Sequence, residues 1–140
     1  YSMRDKTRSD NGGEAFRVEE MERILAATIR NPRFADEKHW MMMGDFNSHS
    51  PLDKPYHGKR NYDVHNLVRM YYPYDIIGEV HRGEFVPSTV GGKARIDFIY
   101  STGEIYKGVK SASSPRDPFT VEASDHLPII VDFKVPKIKL

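Results

Sequence analysis

The sequence contains no cysteine. That excludes a disulfide scaffold, a thiolate zinc site and a cysteine nucleophile. No apolar run approaches the roughly 18 residues of a membrane-spanning helix. The longest, such as Trp40-Met41-Met42-Met43, are strand-sized. Neither sign of charge dominates: 21 Lys and Arg stand against 20 Asp and Glu, a formal net charge of +1. Such a chain has no strong overall attraction to a nucleic-acid backbone or an anionic membrane, which leaves only local basic patches for that purpose. There is no internal repeat and no low-complexity tract. Apolar residues at 39% and charged residues at 29% sit near the globular average, which argues against wholesale disorder. The 140 residues suffice for one compact domain and not for two. The chain opens on Tyr1 rather than Met, so we expect further sequence ahead of it, and a missing leader carries no information about compartment.

Residues 1–13 read as a polar loop, with Ser9-Asp10-Asn11-Gly12-Gly13 dense in turn formers. Glu14 to Arg30 carries a helical pattern: Val18, Met21, Leu25 and Thr28 share a face, with Ile24 and Ile29 beside it. Asn31-Pro32 stops it, since the residue before proline is pushed out of the helical region. Trp40 to Met43 reads as a buried strand, and Ser48 to Arg60 as a long loop. Tyr62 to Met70 predicts a second helix, Asp75 to Val80 a short strand, Ala94 to Tyr100 a strong strand and Ile105 to Lys110 a weaker one. Ser111 to Glu122 reads as a polar loop with two prolines, and Pro128 to Val135 as a closing strand. Few helices and several strands imply a layered α/β arrangement.

Three segments place carboxylates at strand ends. In Gly44-Asp45-Phe46-Asn47, the carboxylate and carboxamide two residues apart share a side of an extended chain. Such a pair can hold a metal or position a water; it can equally be an Asx turn. In Arg95-Ile96-Asp97-Phe98-Ile99-Tyr100, an aspartate inside an apolar strand is costly unless an Arg, a His or a metal partners it. Its alternative is a half-exposed strand with Asp97 in water. In Ser124-Asp125-His126-Leu127-Pro128, an acid and an imidazole adjoin a buried strand. Neighbours in extended chain point apart, so Asp97 is a better partner for His126 than Asp125 is. Asp, Asn and His without Cys suit a hard ion, Mg²⁺ or Mn²⁺, and such ions favour phosphate esters.

In this order the three segments resemble the late motifs of the endonuclease/exonuclease/phosphatase superfamily, the DNase I-like phosphoesterases, with the match at Gly44 to Asn47, Arg95 to Tyr100 and Ser124 to Pro128. The resemblance implies a divalent-metal-dependent hydrolase acting on a phosphodiester or phosphomonoester. Asp45 would orient or deprotonate the attacking water, and Asn47 would bind the phosphate or help hold the nucleophile. Asp97 would pair with an imidazole, most simply His126, which binds the scissile phosphate or acts as base. Asp125 and Asp45 would contribute to the metal shell. The implied fold is a four-layer α/β sandwich of two packed mixed sheets flanked by helices, normally about 250 residues. This chain looks like its C-terminal half, a single partial domain over residues 1–140. The implied principal metal-binding Glu and a second active-site His would then lie upstream of Tyr1. We expect an apolar inner face covered by that N-terminal half or by a second copy. A module that keeps the fold and binds without catalysis is the competing reading.

The substrate is open between nucleic acid, phospholipid and sugar phosphate. Lys54, His57, Lys59 and Arg60 in the loop after the first motif, and Lys93 and Arg95 before the second, are candidates to contact phosphate or to be plain solvated charges. Met70-Tyr71-Tyr72-Pro73-Tyr74 reads as a packed turn rather than a membrane loop.

Overall fold

The computed structural model describes residues 13–137. The loop expected over residues 1–13 lies outside them except for Gly13. Helix α1 (Glu14–Ala27) buries a stripe of Glu14, Arg17, Met21 and Leu25. Its expected end at Arg30 comes early because the Thr28 hydroxyl donates to the Ile24 carbonyl and Arg30 N turns back to Leu25 O. Strand β1 (Met41–Asp45) follows. The long loop holds a short helix α2 (Lys54–His57), and α3 (Asp63–Arg69) then packs against α1.

Strand β2 is only Tyr74–Asp75, and α4 (Ile76–Val80) occupies the rest of the expected strand over 75–80. The reason is local: the Asp75 carboxylate accepts from Gly78 N and caps the helix. A Cβ at Gly78 would stand 2.7 Å from the tip of Leu52 and 2.8 Å from Asp75 Oδ2, so a larger residue there would have to displace those side chains. Strand β3 (Asp97–Ser101) leads through α5 (Gly103–Tyr106) to β4 (Val109–Ser113), so the expected strand over 105–110 begins as helix. The expected loop over 111–122 contains the end of β4 and helix α6 (Pro118–Ala123). Asp117 and Thr120 form a capping box, and Pro118 occupies the first helical position, where its missing N–H costs nothing. Strand β5 (Ile130–Phe133) closes the fold.

The strands form two sheets, β1-β3-β2 and β4-β5. Every named pairing among the described residues is antiparallel, where the resemblance implied mixed sheets. One face of β1 and β3 presents Met42, Phe98 and Tyr100 to α1 and α3; Leu25, Val64, Val68 and Tyr72 complete that core. The other face gives Ile99 and Met41 to a second core with Ile76, Ile77, Ala112 and Val131, which joins the two sheets. The outer edge of β1 carries no strand among the described residues, and Met43 on it is 64% exposed. No helix among the described residues is long and apolar enough to cross a membrane.

Candidate active site

The β1–β3 ladder places Met42 opposite Tyr100, Gly44 opposite Phe98 and Asp45 opposite Asp97. Alternation then puts both carboxylates on one face at the end of the sheet. Like charges directly opposite one another destabilise a sheet unless something compensates them. His126 supplies part of the compensation: its Nδ1 lies 2.8 Å from Asp97 Oδ2. One oxygen of each carboxylate and one imidazole nitrogen all fall within 4.8 Å of one another.

The third segment reaches this point through the turn before β3. Thr89 bridges to His126, Val90 N donates to Asp125 O at 2.9 Å and Leu127 N to Ser88 O at 2.8 Å. The hydrogen bond to Asp97 raises the His126 pKa against the opposing effect of partial burial, and the charges of Asp97, Asp45 and Asp125 add to it. With Nδ1 on the carboxylate, Nε2 is the nitrogen turned to other business. Asp125 is exposed and stands outside the group of three, although its charge reaches the imidazole.

The Gly-Asp-Phe-Asn segment is anchored by its aromatic. Phe46 is buried, stacked on His65 and edge-on to Phe98, and Phe46 N donates to Ile96 O at 2.8 Å. Asn47 then turns at φ 46°, and its N–H donates to Asp45 Oδ1 at 2.8 Å. The motif is therefore an Asx turn, whose other aspartate oxygen has no hydrogen-bond partner among the described residues. Asn47 lines a cleft of about 360 Å³ with Arg17, Met21, Ile24, Met42 and Met43. Across β1, a shallower cleft of about 240 Å³ is lined by Met43, Gly44, Asp97, Ile99, Leu127 and Ile129.

Two supporting residues had no signal in the sequence. Glu14 is buried in the first turn of α1 and accepts from Ser48 Oγ at 2.8 Å, Val64 N at 3.2 Å and Arg17 at 2.8 Å. It pins the chain just after Asn47. Ser88 donates to Asp97 Oδ2 at 2.7 Å. Both are ordinary residue types in ordinary positions, a helix start and a turn.

The basic candidates divide. Arg95 is 2% exposed; it pairs with Asp75 at 2.7 Å and Asp53 at 2.8 Å and lies over Phe98, so it cannot contact a substrate. Lys93, Lys54, Lys59 and Arg60 are exposed. His57 is tucked against His49 and Phe85. The 71–74 turn is packed, with Tyr72 buried and Tyr74 stacked on Tyr106, while Met70 beside it is open.

Among solved structures, that of an AP endonuclease from Archaeoglobus fulgidus matches 86% of this chain with a TM-score of 0.67. The fold is similar to that of an AP endonuclease. Sequence identity is 20%, and the likeness is to a DNase I-like fold. The chain spans 55% of that neighbour's length. No family model and no curated protein sequence matches the chain.

Proposed function

We propose that this chain carries part of the active site of a metal-dependent phosphoesterase that cleaves a phosphate ester with activated water. The observation that carries the reading is the meeting of Asp45, Asp97 and His126 from three separate segments at one sheet end. The donor set fits a hard divalent cation: two carboxylates face each other across the ladder, and each has an oxygen with no hydrogen-bond partner among the described residues. Mg²⁺ or Mn²⁺ bound there would neutralise phosphate charge and polarise the ester. Asp97 would hold it through Oδ1, with Asp45 beside it and Asp125 adding negative charge from its exposed position.

The imidazole and the free carboxylate then take different roles. A raised pKa favours the cationic form of His126, so Nε2–H meets the phosphate oxygens as a charged donor. The base role falls to Asp45, which accepts the water proton as the water oxygen bonds to phosphorus; the ester oxygen leaves and takes a proton from solvent. Asn47 beside the cleft hydrogen-bonds the phosphate.

The full domain in this reading is the four-layer sandwich, of which the chain is the C-terminal half. The open edge of β1, with Met43 exposed and clefts on both sides, is where further polypeptide of the same domain docks. The 45% of the AP endonuclease chain that has no counterpart here supports that occupant. Phosphodiester and phosphomonoester panels with Mg²⁺ or Mn²⁺, with and without chelator, test the reading. The 140 residues alone should be inactive, and restoring upstream sequence should bring metal-dependent hydrolysis. Full activity from the isolated chain, or from dimers of it, would replace the missing-half account. Binding without hydrolysis in the completed protein would make the domain a non-catalytic module.

A further inference from the structure

Ser88 belongs to none of the three motif segments, and it is 1% exposed. A serine hydroxyl has one proton to give and two lone pairs to receive with. Here both lone pairs are taken: Ile96 N donates to Oγ at 2.9 Å and Asp97 N at 3.1 Å. The one proton is left for Asp97 Oδ2 at 2.7 Å, the same oxygen that His126 Nδ1 meets at 2.8 Å. A group that ordinarily rotates thus has a single orientation. The main chain of Ser88 acts on the other partner, since its carbonyl accepts from Leu127 N, the residue after His126.

We propose that Ser88 is the positioning residue of the Asp97–His126 pair. Its hydroxyl fixes which oxygen of Asp97 serves the imidazole and leaves Oδ1 for a cation, while its carbonyl fixes the segment that carries the imidazole. Ser88 touches no substrate. Without its hydroxyl the carboxylate is free to rotate, and two backbone N–H groups lose their acceptor.

The consequence for turnover rests on the phosphoesterase reading; the hydrogen-bond geometry does not. The test therefore has a readout apart from catalysis. In proton NMR of the full chain, the His126 Nδ1–H signal, assigned by its loss in His126→Gln, should exchange slowly in the wild type. In Ser88→Ala it should exchange about tenfold faster, as one charge-assisted hydrogen bond no longer holds the acceptor. Ser88→Cys, which keeps the volume and a weak donor, should fall between, and the amide spectrum should otherwise be retained. In the completed enzyme the same changes should lower kcat by roughly 10-fold, the usual cost of losing an outer-shell partner, with KM unchanged. A folded Ser88→Ala whose Nδ1–H exchanges as in the wild type overturns the proposal. If Ser88→Ala does not fold, wild-type exchange in Ser88→Cys does the same. Faster exchange without any esterase activity would retire the phosphoesterase reading and leave the role of Ser88 standing.

Discussion

Around Arg95 the protein closes two aspartates on one cation; around His126 it leaves two aspartates open. The Arg95 guanidinium makes three hydrogen bonds to Asp53 and Asp75, and none of the three side chains is more than 6% exposed. Burial opposes its charge, yet Asp75 and Asp53 raise its pKa further. At the other site Asp45 is exposed, Asp97 and His126 are half-buried, and a carboxylate oxygen on each aspartate has no hydrogen-bond partner among the described residues. The first cluster is complete in itself and ties the loop at Asp53 to β2 and β3. The second is short of positive charge and faces outward, which is the condition for taking up a cation and an anionic substrate.

Breaking the closed cluster should have the largest effect. Arg95→Met leaves two carboxylates buried without a cation and should cost about 3–5 kcal/mol in a denaturant titration, enough to unfold a marginal domain. A loss below 1 kcal/mol would show that the charges of Asp53 and Asp75 are not compensated by Arg95 alone.

The open cluster should answer in turnover instead. Asp45→Asn in the completed protein should lower kcat by roughly 10²–10⁴-fold while stability is kept or slightly improved, because one of two facing charges is gone. Stopped assays on a phosphodiester, together with melting curves, separate the two outcomes. Near-normal turnover would sink the assignment of Asp45.

A sharper comparison comes from the pair itself. Asp97→Ala and His126→Ala together should cost little more in kcat/KM than the worse single change, because they act as one unit through the 2.8 Å hydrogen bond. Additive losses would separate them.

The smallest expected effect is on pH dependence. His126 has a folded pKa above its ordinary 6.5, so its contribution to stability is present below 6.5 and is lost as pH rises through the higher value. His49 behaves oppositely: burial first, then His57, Arg60 and Arg17, push it down to about 4. Its unfolded form binds the proton more readily, so stability falls as pH drops from 6.5 towards 4. Thermal melts across pH should show His49→Gln flattening the acid limb and His126→Gln flattening the other. An unchanged acid limb in His49→Gln would place that sensitivity elsewhere, foremost at buried His65, which burial pushes down to about 3.

Much of this was legible in residue order. Periodicity or an apolar run marked the positions of α1, α3, β1, β3 and β5, and α1, α3 and β3 each bury a face. Strands β1 and β5, expected as buried, hold no buried residue, with Met43 64% and Ile130 54% exposed, because they lie at sheet edges. The need of Asp97 for a partner was readable from its apolar neighbours alone, and the opposed directions of Asp125 and His126 followed from strand geometry. Two of the misread elements share a cause. At 75–80 and 117–123 an aspartate caps a short helix within apolar or proline-containing sequence, and a cap is a choice made by one hydrogen bond rather than by a pattern.

Other facts existed only after folding. The register that sets Asp45 opposite Asp97, the burial of Arg95 away from any substrate, and the reach of Glu14 to Ser48 are contacts between residues 20 to 52 positions apart. Sequence fixes which groups a residue offers and which face it occupies locally. Which distant group meets it is decided by how the sheets and helices pack, and that is why the motifs were visible in the chain and Glu14 was not; Ser88 reaches Asp97 over only nine positions, through a turn that no residue pattern marked.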